Sequence, residues 1–439
     1  MNDFILVKET IPLDIKRNSI FNIVTSNVNT YTHGFHKYPA KFIPHIPKWA
    51  IEKYLPGKHG KTIIDPFCGS GTTLVEGILS YHNVIGIDID PLSCLISKVK
   101  TNTNIDMVAF NEISNWIKKE MKTKKEGSFK PKCENIEHWF SKETINSLSV
   151  IRNLINQITE AFGNNERIRD IQDILIVCLS SIIRRVSYAD NESQKTYVSH
   201  TRIKLPEEPT NLFLSQLNFF KERFTAFSNN TLPKFNRKII KSSSTILKKE
   251  LKGVEIDLGV TSPPYIKAID YIYNQMVELF WIGDLFDMEV QNKQNIKKQD
   301  YIGTKSFSKK NFKEYTPFNN HFEIEKLDRN IQDIFQSDKK NGHKHAYITF
   351  KYFDNMEKHI SEMSKCLNKG VHYIIVIGNS SVSNILVDTA SFLTEIAERN
   401  SFKLTNKWGY KIKNRFMRFD RKGRGGKIDI DWILDLERI

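Results

Sequence analysis

Residues 61–73 read KTIIDPFCGSGTT, and residues 83–91 read NVIGIDIDP. Each stretch begins with a short apolar segment of the kind that forms a buried parallel strand. The glycine-rich turn of the first stretch opens a helical segment, TTLVEGILS, at 72–80. A strand, a glycine turn, a helix and a second strand with an acidic tip form the nucleotide-binding unit of α/β proteins. The two stretches therefore predict a parallel sheet with a ligand at the carboxyl ends of its strands.

The composition of the turn narrows the choice of ligand. Gly69 and Gly71 let a ligand approach the backbone closely, and Asp88, at the tip of the second strand, is placed to bind ribose hydroxyls. The turn lacks the third glycine of the dinucleotide fingerprint and the Gly-Lys-Ser/Thr of a phosphate-binding loop. Asp65, at the end of the first strand, would repel a pyrophosphate and would suit a cation. S-adenosylmethionine, which carries a sulfonium and an ammonium group, is therefore favoured over NAD or ATP.

A second motif, TSPPY at 261–265, follows the apolar stretch VEIDLGV at 254–260. Two consecutive prolines fix the backbone and bias the residue before each towards an extended conformation. They hold the Ser262 hydroxyl, the Pro263 carbonyl and the Tyr265 ring at the end of a strand. Two acceptors and a stacking ring suit the exocyclic amine of a planar base. Taken alone, the motif is more typical of an ordinary Pro-Pro loop.

Apolar segments further along the chain extend the predicted sheet. We predict strands over 238–244, 254–260 and 371–381, helices over 352–367 and 384–400, and a C-terminal hairpin around the turn DRKGRGG. Residues 101–235 have helical spacing instead. Residues 284–345 are polar and mix lysines with aromatic side chains, which indicates either a surface that grips phosphates or a solvated loop.

Three motifs in this order resemble those of the DNA amino-methyltransferases: HKYPAKFIP at 36–44, DPFCGSGTT at 65–73, and TSPPY. The resemblance covers about residues 31–100 and 236–439. It implies an α/β protein with a Rossmann-like, seven-stranded methyltransferase sheet, a C-terminal antiparallel hairpin and a helical insertion.

The resemblance also implies a division of the chain. Residues 1–100 and 236–439 would form a discontinuous catalytic domain, and 284–345 would be a polar, basic insertion within it. Residues 101–235 would be a helical insertion and the candidate target-recognition region, because they separate the cofactor motif from the catalytic motif.

Site residues follow from the matched motifs, position by position. The residues expected to bind S-adenosylmethionine are Lys41, Phe42, Asp65, Pro66, Phe67, Gly69, Ser70, Gly71, Thr72, Thr73, Asp88, Ile89 and Thr261. The residues expected to act on the base are Ser262, Pro263, Pro264 and Tyr265.

In this family, serine directly before the two prolines, here Ser262, is associated with methylation of cytosine N4, and aspartate or asparagine at that position with adenine N6. We therefore predict a site-specific methyltransferase that acts on the N4 amine of a cytosine flipped out of duplex DNA, in a restriction–modification system with a cognate endonuclease as candidate partner. The alternatives are an N6-adenine enzyme, an RNA base methyltransferase and a non-catalytic DNA-recognition subunit. Methylation of the cytosine ring carbon is disfavoured, because none of the five cysteines follows a proline.

A formal net charge of +15 indicates a polyanionic partner such as DNA, although a generally lysine-rich proteome would also produce it. Candidate DNA contacts are Arg184, Arg185, Arg421, Lys422 and Arg424. The scattered cysteines form no zinc pattern.

Three histidines near the N-terminus have no cysteine or carboxylate residues near them in the pattern of a metal-ligand set. We therefore expect them to have turn or surface roles. They are His33, His36 and His45. The chain has no long apolar run and no signal-peptide pattern in its first twenty residues, so we expect a cytoplasmic protein without membrane contact.

Overall fold

The computed structural model describes residues 5–39, 41–191, 193, 195–232, 234–267, 270–288, 298–319, 321–337, 341–412 and 429–439. The strands are β1 (Ile5–Lys8), β2 (Ile20–Val24), β3 (Thr62–Asp65), β4 (Asn83–Asp88), β5 (Arg237–Lys241), β6 (Leu258–Thr261), β7 (His372–Gly378), β8 (Ser380–Val382), β9 (Ile385–Val387), β10 (Phe402–Lys411) and β11 (Ile430–Arg438). The helices are α1 (His45–Tyr54), α2 (Thr72–Leu79), α3 (Pro91–Lys100), α4 (Met107–Thr123), α5 (Lys142–Phe162), α6 (Glu166–Val186), α7 (Pro209–Ser228), α8 (Leu247–Glu250), α9 (Tyr271–Asn274), α10 (Met276–Ile282), α11 (Lys309–Lys313), α12 (Glu325–Gln336), α13 (Gly342–Cys366) and α14 (Thr389–Arg399).

Nine of the described strands form one sheet in the order β1-β2-β10-β11-β7-β6-β3-β4-β5. Within this sheet, β11 is antiparallel to both of its neighbours, β7 and β10, whereas the other pairs are parallel. The predicted class is confirmed, including the C-terminal antiparallel pair. Two strands, β1 and β2, add to the predicted seven at the β10 edge; both are short, and charged residues flank them.

Alternating residues of the central strands enter two different cores. In β7, Ile374 and Val376 pack with α1 on one face of the sheet, whereas Ile375 and Ile377 pack with α13 and α14 on the other. Successive side chains of a strand point to opposite faces, so a strand covered on both sides reads as a continuous apolar run. HYIIVIG, the sequence of β7, is such a run.

Residues 101–235 contain α4 to α7, four long helices that share one apolar core. That core continues into α3 and α10, so the helical insertion packs against the sheet domain rather than standing apart from it. The division of the chain into domains stays a prediction.

Three predicted elements differ most from their bounds in the structure. The strand predicted over 254–260 begins only at Leu258, because the Asp257 carboxylate accepts a hydrogen bond from the Thr62 amide (2.8 Å) and holds the preceding residues in a loop. α13 begins ten residues before the predicted helix, with glycine and histidine residues whose helical signal is weak. The segment predicted as one helix over 384–400 opens with β9. Ser383 and Asn384 both have positive φ (53° and 64°), as a two-residue hairpin turn between β8 and β9 requires.

Candidate active site

A cleft lies at the carboxyl ends of β3, β4, β5 and β6. In parallel sheets of this kind, ligands bind at that edge. The residues that line the cleft are Tyr38, Lys41, Phe42, Pro66, Phe67, Cys68, Gly69, Ser70, Thr72, Asp88, Ile89, Asp90, Ser242, Ser243, Ser244, Ser262, Pro264, Tyr271, Asp300, Tyr301 and Ile302. The glycine turn and the TSPPY turn, far apart in sequence, therefore share one cavity.

The glycine turn is shaped by its two glycines and held by the helix that follows β4. Gly69 and Gly71 have φ of 48° and 78°, values that residues with a side chain rarely adopt. A Cβ on Gly71 would lie 2.9 Å from the Ser97 hydroxyl, so only glycine fits there. Ser97 also donates to the Gly69 carbonyl (2.8 Å), and Lys100 Nζ donates to the Ser70 carbonyl (2.6 Å). The turn is thus fixed before any ligand binds.

Asp88 connects the second strand to this turn. Its carboxylate accepts hydrogen bonds from the backbone amides of Gly69 (2.8 Å) and Asp90 (2.9 Å). Burial, and then the neighbouring charge of Asp90, raise the pKa of Asp88 to about 7. A carboxylate that is costly to ionise in the empty cleft gains from a ligand that brings hydroxyl donors or positive charge.

Asp90 is held by donors from several parts of the chain. It accepts from the amide (2.8 Å) and hydroxyl (2.5 Å) of Ser93, from Gln275 (3.3 Å) and from the Tyr301 hydroxyl (3.4 Å). Tyr301 comes from the polar segment predicted over 284–345. That segment thus contributes to the wall of the cleft.

Four residues predicted to bind the cofactor stand behind the cleft wall: Asp65, Gly71, Thr73 and Thr261. The Asp65 carboxylate accepts from the Thr261 hydroxyl (2.6 Å) and the Phe67 amide (3.1 Å), and the Thr73 hydroxyl donates to the Val260 carbonyl (3.1 Å). Burial raises the pKa of Asp65 to about 6. These bonds tie the cofactor turn to the strand that carries TSPPY, and binding of the cofactor by Asp65 stays a prediction.

Within the TSPPY turn, Ser262 and Pro264 face the cleft. The Ser262 hydroxyl has no hydrogen-bond partner among the described residues, so it is available to a ligand. Pro263 is buried, and Tyr265 donates its hydroxyl to the Asp431 carboxylate (2.6 Å). The bond to β11 fixes the Tyr265 ring at the rear of the turn; stacking of this ring on a base stays a prediction.

Ten lining residues were not predicted as site residues: Tyr38, Cys68, Asp90, Ser242, Ser243, Ser244, Tyr271, Asp300, Tyr301 and Ile302. The three serines end the strand predicted over 238–244 and directly follow β5 in the structure, so the rule that ligands bind at carboxyl ends could have found them. Tyr301 and Ile302 have no such local signal. Tyr38 and Tyr271 stack, with ring centroids 6.0 Å apart, and close one side of the cleft.

The candidate DNA contacts have other partners where the structure describes them. The Arg184 guanidinium donates to the carbonyl of Asn274 (2.6 Å) and the Thr196 hydroxyl (2.5 Å), which commits it to the interior. Arg185 forms a two-pronged pair with Glu207 (2.7 and 2.8 Å). Arg421, Lys422 and Arg424 lie outside the described residues. DNA binding by these five residues stays a prediction.

The N-terminal histidines have protein partners. His33 bonds to Glu76 (2.6 Å) and His36 to Ser180 (3.0 Å), and both are buried rather than exposed. His45 lies 3.5 Å from Glu9. In the described part of the chain, no three His, Cys, Asp or Glu side chains come together as a metal site. No helix of that part is long and apolar enough to cross a membrane.

The cleft fits S-adenosylmethionine by the chemistry of its walls. The Ser70 hydroxyl is buried without a hydrogen-bond partner among the described residues, which is costly unless a ligand supplies one. Asp88 offers an acceptor for ribose hydroxyls, Ile89 an apolar surface for a base, and the φ > 0 glycines allow close approach of the methionine end.

Comparisons with known proteins agree with this geometry. Residues 7–99 match the family of DNA methylases that comprises N6 and N4 enzymes. The Type II methyltransferase M.MvaI of Kocuria varians is 26% identical over 422 residues, which are 91% of this chain and 88% of that protein. The Type II methyltransferase M.BsoBI of Geobacillus stearothermophilus is 26% identical over 283 residues, 59% of this chain and 54% of that protein.

Among solved structures, the rRNA methyltransferase aviRa from Streptomyces viridochromogenes aligns with a TM-score of 0.29 and 10% identity, covering 92% of this chain and 88% of that chain. A score this low carries no argument, and the fold assignment depends on the strand order above. S-adenosylmethionine is the methyl donor that the family match implies. Motifs, strand order and sequence matches agree that this chain is related to the S-adenosylmethionine-dependent DNA amino-methyltransferases.

Proposed function

We propose that this protein is a site-specific DNA methyltransferase that methylates the exocyclic N4 amine of a cytosine flipped out of the duplex. The observation that carries the proposal is the shared cleft, in which the unpartnered Ser262 hydroxyl faces the same cavity as Asp88 and the glycine turn. Similarity to Type II methyltransferases over most of the chain supports DNA as the substrate and a role in restriction–modification, with a cognate endonuclease as partner.

The amine of cytosine is a poor nucleophile, because its lone pair is delocalised into the ring. Bound S-adenosylmethionine supplies an electrophilic methyl group. Ser262 and the Pro263 carbonyl accept hydrogen bonds from the amine, which localises the lone pair on nitrogen and orients it. The prolines keep these acceptors rigid, and the Asp65–Thr261 bond (2.6 Å) sets their position relative to the cofactor turn. Acceleration then comes mainly from placement.

Cytosine is favoured over adenine by Ser262, since in this family serine at that position accompanies N4 methylation. Tyr265 is expected to stack on the flipped base. Its hydroxyl bond to Asp431 (2.6 Å) fixes the orientation of the ring. Because the ring and not the hydroxyl would stack on the base, Tyr265→Phe should keep most of the activity and Tyr265→Ala should lose it.

The test is transfer of a tritiated methyl group to duplex DNA, followed by digestion to nucleosides and mass spectrometry. We expect N4-methylcytosine from the wild-type protein, loss of labelling by at least about hundredfold in Ser262→Ala, and unchanged cofactor affinity in that variant. Ser147→Ala, on the half-exposed side of α5, is the matched control and should label DNA normally.

Each other outcome refutes a defined part of the proposal. N6-methyladenine as the product would refute the base assignment alone. Measurable cofactor binding without any labelled nucleic acid would leave a non-catalytic recognition subunit, and labelling of RNA in preference to DNA would refute the substrate.

A further inference from the structure

Three lysines lie beside the catalytic turn. Lys267 follows Tyr265 by two residues, and Lys305 lies in the polar insertion. Lys344 lies in the first turn of α13, and this turn contains no acidic residue. Lys267 and Lys344 are half-buried and Lys305 is exposed. Among the described residues, none of the three forms an ion pair or a side-chain hydrogen bond.

Backbone and ring contacts bring the three segments together. The Lys267 amide donates to the carbonyl of Gly303 (3.2 Å), which lies two residues before Lys305. Phe307, two residues after Lys305, packs edge-on against Tyr347 of α13 at 5.1 Å between centroids. Tyr347 is one helical turn after Lys344, so both project from the same side of α13. The lysines thus converge from three parts of the chain on one place.

This place adjoins the catalytic turn. The backbone of Gly303 packs so closely on the turn that a Cβ there would lie 2.7 Å from the Tyr265 carbonyl oxygen and 3.3 Å from Pro264. Ile302, the preceding residue, lines the cleft. A ligand held by the lysines would therefore be close to the mouth of the cleft that Ser262 faces.

The arrangement is unfavourable for the protein alone. Burial, and then the charges of Lys305 and Lys344, lower the pKa of Lys267 to about 8. Lys267 also has a φ of 57°, in the left-handed region that costs a non-glycine residue about 1 kcal/mol or more. Like charges gathered on a strained backbone beside an active site indicate a role in binding an anion.

We propose that Lys267, Lys305 and Lys344 form a phosphate-binding site that grips the backbone of the DNA strand carrying the target base. This inference rests on the proposed function, because a nucleotide whose base enters the cleft brings its flanking phosphates to the mouth. The lysines of α11, which packs against α13, extend the same basic surface and form no ion pair with another described residue; they are Lys309, Lys310 and Lys313.

The test measures the affinity for duplex DNA over a range of salt concentrations. The variant carries Lys267→Gln, Lys305→Gln and Lys344→Gln together. The matched control replaces three exposed lysines that precede β3, β6 and β7, at the opposite edge of the sheet, by glutamine; they are Lys58, Lys252 and Lys369.

Both proteins lose the same formal charge, so only position differs. Each lost phosphate contact should reduce the slope of log K against log salt by about 0.9, and the site variant should lose about one to three such increments. We expect the control to keep the wild-type slope, and both variants to bind S-adenosylmethionine with wild-type affinity, which shows that the cleft is folded.

A site variant with the wild-type slope, or a control with the same reduction as the site variant, would overturn the inference. The slope needs no turnover, so failure of methyl transfer in the wild-type protein is a separate result that refutes only the proposed function. Tighter binding of single-stranded RNA than of duplex DNA, with the same loss of slope in the variant, would overturn DNA as the ligand.

Discussion

The two segments inserted into the sheet differ in how their positive charges are paired. In the helical insertion, 101–235, four arginines lie near carboxylates, as the pairs Arg152–Asp284, Arg167–Asp106, Arg184–Glu278 and Arg185–Glu207. In the described part of the polar insertion, Lys298 pairs with Asp270 and Arg329 with Glu325, whereas Lys305 and the three lysines of α11 have no such partner. The polar insertion therefore leaves a group of lysines available to a ligand.

The two segments also differ in their distance from the chemistry. Of the described cleft-lining residues, none comes from 101–235, whereas Asp300, Tyr301 and Ile302 come from the polar insertion. Strong helical periodicity thus indicates a segment that folds well, and it does not indicate one that touches the site. Target recognition by 101–235 stays a prediction. Two of the three lysines of the proposed phosphate-binding site, Lys305 and Lys344, come from the polar insertion.

We expect the largest effect from a substitution that disturbs the contact between the polar insertion and the catalytic turn. Gly303→Ala adds a Cβ 2.7 Å from the Tyr265 carbonyl oxygen, at a φ of 81°. Because the backbone must move, we expect kcat to fall about hundredfold. Methyl transfer at saturating cofactor measures this fall.

The control for this prediction is Gly163→Ala in the helical insertion. Gly163 also has positive φ (97°), but a Cβ there would meet only the Asn165 side chain, at 3.7 Å. It should cost about 1 kcal/mol of stability and leave kcat unchanged. Equal kcat losses in the two variants would show that the polar insertion has no special contact with the turn.

A second prediction concerns the arginines of the helical insertion. Arg152 is fully buried, where it donates to Asp284 (2.9 Å) and to the Trp281 carbonyl (3.2 Å). Arg152→Ala should lower the free energy of unfolding by about 3 kcal/mol, because it leaves a carboxylate and a carbonyl without their donor. Urea denaturation measures the loss.

The matched variant for Arg152→Ala is Arg167→Ala, whose exposed pair with Asp106 should contribute no more than about 1 kcal/mol. If both variants unfold at the same urea concentration, the buried pair is not what holds the helical insertion to residues 281–284.

A third prediction uses the pKa of Asp88. In the empty cleft this pKa is raised to about 7, and ribose hydroxyls donated to the carboxylate should lower it on binding. Affinity for S-adenosylmethionine should therefore be full above pH 7 and fall as the pH drops below 7, by up to about tenfold per unit. Calorimetric titration from about pH 5.5 to about pH 7.5, a range that includes the raised pKa, would measure this change in affinity. A flat profile, or one that rises towards acid, would contradict the role given to Asp88.

The smallest expected effect links this profile to the polar insertion. Tyr301→Phe removes a hydroxyl donor 3.4 Å from Asp90, so Asp90 ionises less readily and repels Asp88 less. The midpoint of the acid limb should move to lower pH by at most about half a unit. Tyr188→Phe, in the helical insertion, should leave the midpoint in place. A shift to higher pH in Tyr301→Phe would contradict the coupling.

Much of the sheet could be predicted because its central strands are apolar runs between recognisable turns. The polar insertion could not be placed in the same way. Tyr301 and Asp90 are 211 residues apart in the sequence, and nothing in the residues around Tyr301 predicts their contact. The position of Asp65 at the end of a strand can be read from its neighbours in sequence, whereas the burial of its carboxylate against Thr261 depends on two neighbouring strands.

The sequence by itself determined the glycine turn, the acid at the tip of β4 and the rigid serine of TSPPY, because each depends on the backbone preferences of a few consecutive residues. Tertiary structure alone decided which side chains complete the cleft and which lysines gather beside it. Lys267, Lys305 and Lys344 become neighbours only when a loop closes on the catalytic turn and α13 packs behind it. Contacts between distant residues arise from packing and chain closure, which local periodicity does not encode.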